Sequence, residues 1–229
     1  MSDIAYAVTS HEAAPAALKV HRAMLDLVRR YRPESVIEIG SGTGLLGAQI
    51  VAEGIEYRGI EPEAEQYRVC KQKFPNLNVL QASCYDDPDQ LRLGRAEVVI
   101  SNDVIEHLYA PRKLVGFARA HLEPGGKVIT CTPDFGSYLK NIAYSLANRW
   151  DRVHSPLWDG GHIKFFSRRS LRAIFEEGGF GEFAWYNVRD LHGLFTMSIV
   201  CVCSLMQDPR QRGSGRRDIG STNGPAGSA

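Results

Sequence analysis

The chain lacks most of the features that would place it in a special class. No apolar run approaches the ~20 residues that span a bilayer, so no membrane-crossing helix is expected. No charge dominates: Lys+Arg number 27 and Asp+Glu 26, a net charge of +1. A surface so balanced has no field to draw nucleic acid or an acidic membrane, and neither is expected as a partner. Cysteine is sparse and odd in number, at 70, 84, 131, 201 and 203. The closest pair, Cys201 and Cys203, has the wrong spacing for a Cys-x-x-Cys redox motif or a zinc knuckle. Buried thiols in a reducing cytosol are the expectation. Met1-Ser2-Asp3-Ile4-Ala5 lacks the basic-then-apolar order of a signal peptide, which also points to the cytoplasm. No internal repeat is present. From Gln207 to Ala229 there is no aromatic residue, and Gly, Ser, Arg, Pro and Asn prevail, so residues 207–229 read as a disordered tail on one domain of residues 1–206.

Within that domain the pattern alternates. Residues 13–30 read as a helix, with Leu18, His21, Leu25 and Val28 at helical spacing. Strands follow at 36–39, 57–60, 77–80, 96–101 and 127–132, and helices lie between them at 45–53, 63–74 and 111–122. Such alternation predicts an α/β fold, a Rossmann-like three-layer sandwich with a mostly parallel sheet. The pattern breaks from 133 to 166, a stretch holding Tyr138, Tyr144, Trp150 and Trp158, which is too long for a plain loop and is expected to contain helix and cap a site. A helix then runs from Ser167, its expected N-cap, to Glu177. Two strands, 180–188 and 196–205, are joined by Arg189-Asp190-Leu191-His192-Gly193 and suit antiparallel pairing at a sheet edge.

Two features describe a nucleoside-containing cofactor. Glu38-Ile39-Gly40-Ser41-Gly42-Thr43-Gly44 ends the first strand and opens the next helix. Glycines there let the backbone pass close to a ligand, and the helix N-terminus offers N–H groups to a carboxylate. Glu61 directly follows the second strand, where a carboxylate can accept from both ribose hydroxyls. Gly42 to Gly47 also spells G-x-G-x-x-G, but the strand already ends at Gly40, so the register is wrong for a dinucleotide fingerprint. Tyr67 and Lys71 match Tyr-x-x-x-Lys too early in the fold for the dehydrogenase role.

The loop resembles the first motif of class I S-adenosylmethionine methyltransferases. Ser101-Asn102-Asp103-Val104-Ile105-Glu106-His107-Leu108 resembles the fourth-strand motif of the ubiquinone-biosynthesis-like (type 11/23) branch, and Leu122-Glu123-Pro124-Gly125-Gly126 fits as well. The similarity spans roughly Val36 to Leu205. It implies a seven-stranded sheet whose last strand is antiparallel, and S-adenosylmethionine as cofactor. Glu38, Gly40, Ser41, Gly42 and Gly44 would hold it, with Glu61-Pro62 at the ribose and Asn102 and Asp103 beside it. Ser83 and Cys84 stand at the adenine position, where the family often has Gly-Asp.

Methyl transfer to a hydroxyl requires alignment and removal of a proton, and His suits that task. His107 follows the fourth strand and His162 lies where the aromatic cap rejoins the core, so both are candidate catalytic residues. Capping or packing roles are the alternative for each. Asp103, Glu106 and His107 fall at i, i+3 and i+4, and would share a face if that segment is helical. With His162 they make a set of oxygen and nitrogen ligands for Mg or Mn. The set resembles the Glu-x-x-Glu-His and later His-x-x-Phe of RNA 3′-end 2′-O-methyltransferases, Asp103 replacing the first Glu and His162-Ile163-Lys164-Phe165 the later element. Metal-dependent ubiquinone O-methyltransferases have a similar cluster. The reading that results is an enzyme that O-methylates a small molecule such as a phenol, sugar or natural-product scaffold. RNA 3′-end methylation and a non-catalytic binding subunit are the alternatives. The sequence leaves the oligomeric state open, a homodimer included.

Overall fold

The computed structural model describes residues 15–150, 161–189 and 196–206. Trp158, most of the expected turn after Arg189 and the tail from Gln207 lie outside the described residues. In chain order the elements are α1 (Pro15–Tyr31), β1 (Ser35–Ile39), α2 (Leu45–Ala52), β2 (Glu56–Ile60), α3 (Ala64–Lys73), β3 (Val79–Leu80) and α4 (Pro88–Leu91). There follow β4 (Ala96–Asn102), a 3-10 turn (Ile105–His107), α5 (Arg112–Ala120), β5 (Leu122–Pro133) and α6 (Tyr138–Leu146). The last described elements are α7 (Arg168–Glu177), β6 (Phe180–Arg189) and β7 (Thr196–Leu205).

The strands form one seven-stranded sheet in the order β3-β2-β1-β4-β5-β7-β6. Pairing is parallel from β3 to β5, and β7 runs antiparallel to both β5 and β6. Strand alternation sends side chains to two cores. Val36, Val98, Ile100, Ile129 and Val200 pack with Met24, Leu27 and Val28 of α1 and Leu46 and Ile50 of α2. Ile37, Ile39, Val99, Val128 and Ile199 pack on the opposite face with Leu114 and Phe117 of α5 and Leu171 and Phe175 of α7. Apolar residues at period two bury both sheet faces, which a parallel sheet requires. Phe117 and Phe175 are fully enclosed, so truncating either to Ala would cost about 3–5 kcal/mol.

Strand order reverses between β1 and β4, the crevice where ligands of open α/β sheets bind. The loops leaving these strands are in contact: a Cβ built on Gly40 would overlap the Val104 side chain. The fold thus brings the glycine loop beside the Ser101–His107 segment. The expected cap contains helix, as α6. Ser167 caps α7 and makes a capping box with Ser170.

Candidate active site

At the end of β1 the chain turns three times through the left-handed region, at Gly40 (φ 78°), Gly42 (φ 53°) and Gly44 (φ 80°). A Cβ at Gly44 would lie 2.5 Å from Cys70 Sγ, so this residue is packed against α3. A Cβ at Gly42 would meet nothing within 4 Å, so this part of the loop faces open space at the crevice. Glu61 is buried and ties the two strand ends together. One carboxylate oxygen accepts from Gly42 N (2.7 Å), the other from Glu63 N (2.9 Å). Burial raises its pKa, and the two backbone N–H groups oppose that rise. Each oxygen keeps a second lone pair, which can take a ribose hydroxyl.

Glu38 lies beneath the loop. Its carboxyl is bonded to the Tyr57 hydroxyl, which is 2.9 Å from Ser41 Oγ. Burial pushes Glu38 up to about 8, so near neutrality it is a neutral acid within a hydrogen-bonded chain, Glu38 to Tyr57 to Ser41. Glu38 and Ser41 therefore support the loop from below. Pro62 is exposed beside Glu61. Ser83 shapes the turn after β3, where its N–H donates to Asp86 and its hydroxyl accepts from Tyr85 N, and Cys84 is buried.

The second half of the site begins at Asn102, whose side-chain oxygen is buried without a hydrogen-bond partner. Asp103 follows at φ 50°. Burial pushes its carboxyl up to about 6, and its Oδ1 has no hydrogen-bond partner. The next residues form a single 3-10 turn. Asp103 therefore precedes the turn in the left-handed region, and the helical face expected for Asp103, Glu106 and His107 does not form. Glu106 is fully buried. Thr132 Oγ1 on β5 donates to its Oε2 at 3.0 Å, while Oε1 has no hydrogen-bond partner and sits 4.0 Å from His107 Nε2. Burial, then the Asp103 charge, raises the Glu106 pKa well above the usual range.

His162 arrives from a distant part of the chain. The Glu106 carbonyl accepts from both Ile163 N (3.0 Å) and Lys164 N (2.9 Å), which pins residues 161–164 against the turn. His107 Nδ1 faces the Gly161 carbonyl at 3.4 Å, and the two imidazole centroids are 4.9 Å apart. One atom from each of Glu106, His107 and His162 lies within 4.8 Å of the others, the one such group of metal-ligating type among the described residues. Asp103, expected in that set, is not part of it. Phe135 borders His162 edge-on at 6.2 Å and carries the Lys140 ammonium on its face.

Sequence reasoning missed Tyr57, Thr132 and Phe135. Tyr57 stands 19 positions from Glu38 and Thr132 stands 26 from Glu106, so nothing local marks either. Only strand register brings them together.

Residues 11–181 match the methyltransferase domain family. A ubiquinone biosynthesis O-methyltransferase of Paramagnetospirillum magneticum is 29% identical over 107 residues, covering 46% of this chain and 43% of that protein. The chain thus spans less than half the length of this relative and of its counterpart from Erwinia tasmaniensis. Among solved structures, a SAM-dependent methyltransferase of Thermotoga maritima aligns with a TM-score of 0.63 at 18% identity, over 83% of this chain and 92% of that one. Human N-acetylserotonin methyltransferase in complex with SAM aligns with a TM-score of 0.58 at 16% identity, over 83% of this chain and 51% of that one. These two share the fold. With three quarters of the chain inside the family match, the protein belongs to the methyltransferase domain family, and it has the fold of the SAM-dependent methyltransferases aligned with it.

Proposed function

We propose that the protein transfers a methyl group from S-adenosylmethionine to a hydroxyl of a small-molecule acceptor. The observation that carries this reading is the convergence of His107, His162 and buried Glu106 beside the glycine loop. The cofactor would occupy the Gly40–Gly44 loop, with its ribose on Glu61 and Asn102 and Asp103 along its flank. Ser83 and Cys84 would border the adenine, and Pro62 the ribose edge. The cofactor supplies an electrophilic methyl group and leaves as the neutral thioether. The chain must hold the acceptor oxygen in line and take its proton. In the tautomer that donates Nδ1–H to the Gly161 carbonyl, His107 would carry its acceptor lone pair on Nε2. His162 stands across from it and can fix or deprotonate the same hydroxyl. The similarity to a named O-methyltransferase supports oxygen as the accepting atom.

A divalent metal fits the same three residues. Glu106 Oε1 is a buried oxygen that lacks a hydrogen-bond partner, and a carboxylate with two imidazoles is a recognised donor set. Glu106, His107 and His162 would hold the ion. Of the two ions expected from sequence, Mn suits this set better, since Mg prefers oxygen ligands and Asp103 stands apart. Bound there, a metal would acidify the acceptor hydroxyl. Dialysis against chelator tests this version. Activity lost and restored by Mn supports a metal, and unchanged activity leaves the histidines as proton acceptors. The balanced net charge favours a small molecule over RNA as the acceptor.

A further inference from the structure

A groove of about 460 Å³ opens beside the histidine cluster, within the size range of small-ligand sites. One wall is the chain entering α5, from Tyr109 to Arg112, and the other is Lys164 to Phe166. Both walls continue directly from the cluster: Tyr109 lies two residues after His107, and Lys164 two after His162. The bonds from Ile163 N and Lys164 N to the Glu106 carbonyl hold the walls together. Ring contacts join the two regions as well, since Phe165 meets Phe135 at 4.7 Å and Phe135 borders His162.

Two properties of the groove go beyond packing. Two of its three aromatic residues are open to solvent, Tyr109 at 84% and Phe165 at 42% exposed, while Phe166 is buried at its base. Rings in that state offer flat apolar area at low entropic cost. Its charged lining is cationic throughout, Arg112 and Lys164, without a carboxylate. Arg112 Nε is engaged by Glu177 at 2.7 Å, from outside the groove. Among the described residues, no carboxylate lies within ion-pair distance of the Lys164 ammonium.

We propose that this groove receives the body of the acceptor and that the acceptor is an aromatic acid, its ring against Tyr109 and Phe165 and its carboxylate on Lys164. The inference rests on the methyl-transfer reading above and names the substrate class for that site. A carboxylate is the fitting group because a charge-assisted bond to an ammonium is stronger than a neutral one and suits a half-buried cation. Lys164 is then a specificity-determining residue, and an acceptor long enough to reach from the groove to the neighbouring cluster would present its hydroxyl to His107 and His162.

The test compares two probes of one shape, naphthalene-2-carboxylate and naphthalene-2-carboxamide, titrated calorimetrically into the full chain. The wild type should bind the carboxylate about tenfold more tightly than the amide. Lys164→Gln should erase that preference while leaving amide binding unchanged. Tyr109→Ala should weaken both probes, and Lys113→Gln, on the exposed side of α5, should change neither. Equal affinity for the two probes, a preference that survives Lys164→Gln, or no binding of either at millimolar concentration would overturn the proposal. Titration of S-adenosylmethionine into the same samples separates the two readings. Cofactor binding without a carboxylate preference defeats the groove alone. No cofactor binding defeats methyl transfer and, with it, the groove's role as acceptor site.

Discussion

Glu61 and Glu106 are both buried acids at the carboxyl edge of one sheet, yet their surroundings differ. Both oxygens of Glu61 accept backbone N–H bonds, from Gly42 and Glu63, within a loop built by three left-handed glycines. Glu106 has one oxygen on Thr132 and the other without a hydrogen-bond partner, and Asp103 and Asn102 nearby have unmet oxygens as well. A buried polar atom without a partner costs about 1–3 kcal/mol, so the second region carries a deficit that the first does not. The glycine half is complete before any ligand arrives, as befits an invariable cofactor. The histidine half has polar atoms in reserve for a ligand that completes it.

Each half can be broken separately. The largest effect is expected at the histidines: His162→Ala should lower turnover by ~10²–10⁴-fold while calorimetry finds cofactor affinity unchanged. Full activity in that variant would remove the cluster from the chemistry. Gly44→Ala comes next, because it combines a positive φ with a Cβ 2.5 Å from Cys70 Sγ. Denaturant unfolding should show a loss of about 2–4 kcal/mol, from left-handed strain and overpacking together. Gly42→Ala, open on that side, should cost stability only the strain of about 1–2 kcal/mol and show itself mainly in cofactor affinity. Equal destabilisation by the two would contradict the division between packed and open loop positions. Glu61→Ala should weaken S-adenosylmethionine by roughly 1–3 kcal/mol, with the histidine half undisturbed.

The last effect is a slope, small at any single pH step. Glu38 holds its proton to about 8 in the folded chain, while its ordinary value is 4.5. Between those values the folded state binds the proton and the unfolded state releases it. Stability therefore falls as pH rises across that window, by at most about 1.4 kcal/mol per pH unit from this group. Below 4.5 and above about 8 its contribution is flat. Glu38→Gln should flatten the decline in melting temperature with pH. A profile that keeps its slope in the variant would show that Glu38 is ionised within the fold.

The glycine half was the more legible in sequence for the same physical reason that it is complete. Its loop, the start of α2 and Glu61 sit at strand ends that β-branched runs and glycines mark locally. The parallel core and antiparallel β7 followed from element order and the resemblance. The start of β5 was less legible. Pro124-Gly125-Gly126 reads as a turn, but the strand runs from Leu122 through it, with a register shift opposite Ala96 and Val98. The four-residue α4 is too short to show a helical period, although Asp87 caps it and Pro88 opens it. In the histidine half, helical spacing grouped Asp103 with Glu106 and His107, and the left-handed Asp103 breaks that face. His162 was singled out, yet its meeting with His107 depends on two backbone bonds to the Glu106 carbonyl across more than fifty residues. No local pattern encodes such a contact.

The most direct measurement follows the methyl group itself. The protein is incubated with methyl-labelled S-adenosylmethionine and a cell extract separated into small-molecule, RNA and protein fractions. The account predicts label in a small molecule, on oxygen, with S-adenosylhomocysteine formed in equal amount. Label confined to RNA or protein, or none in any fraction despite cofactor binding, would contradict it.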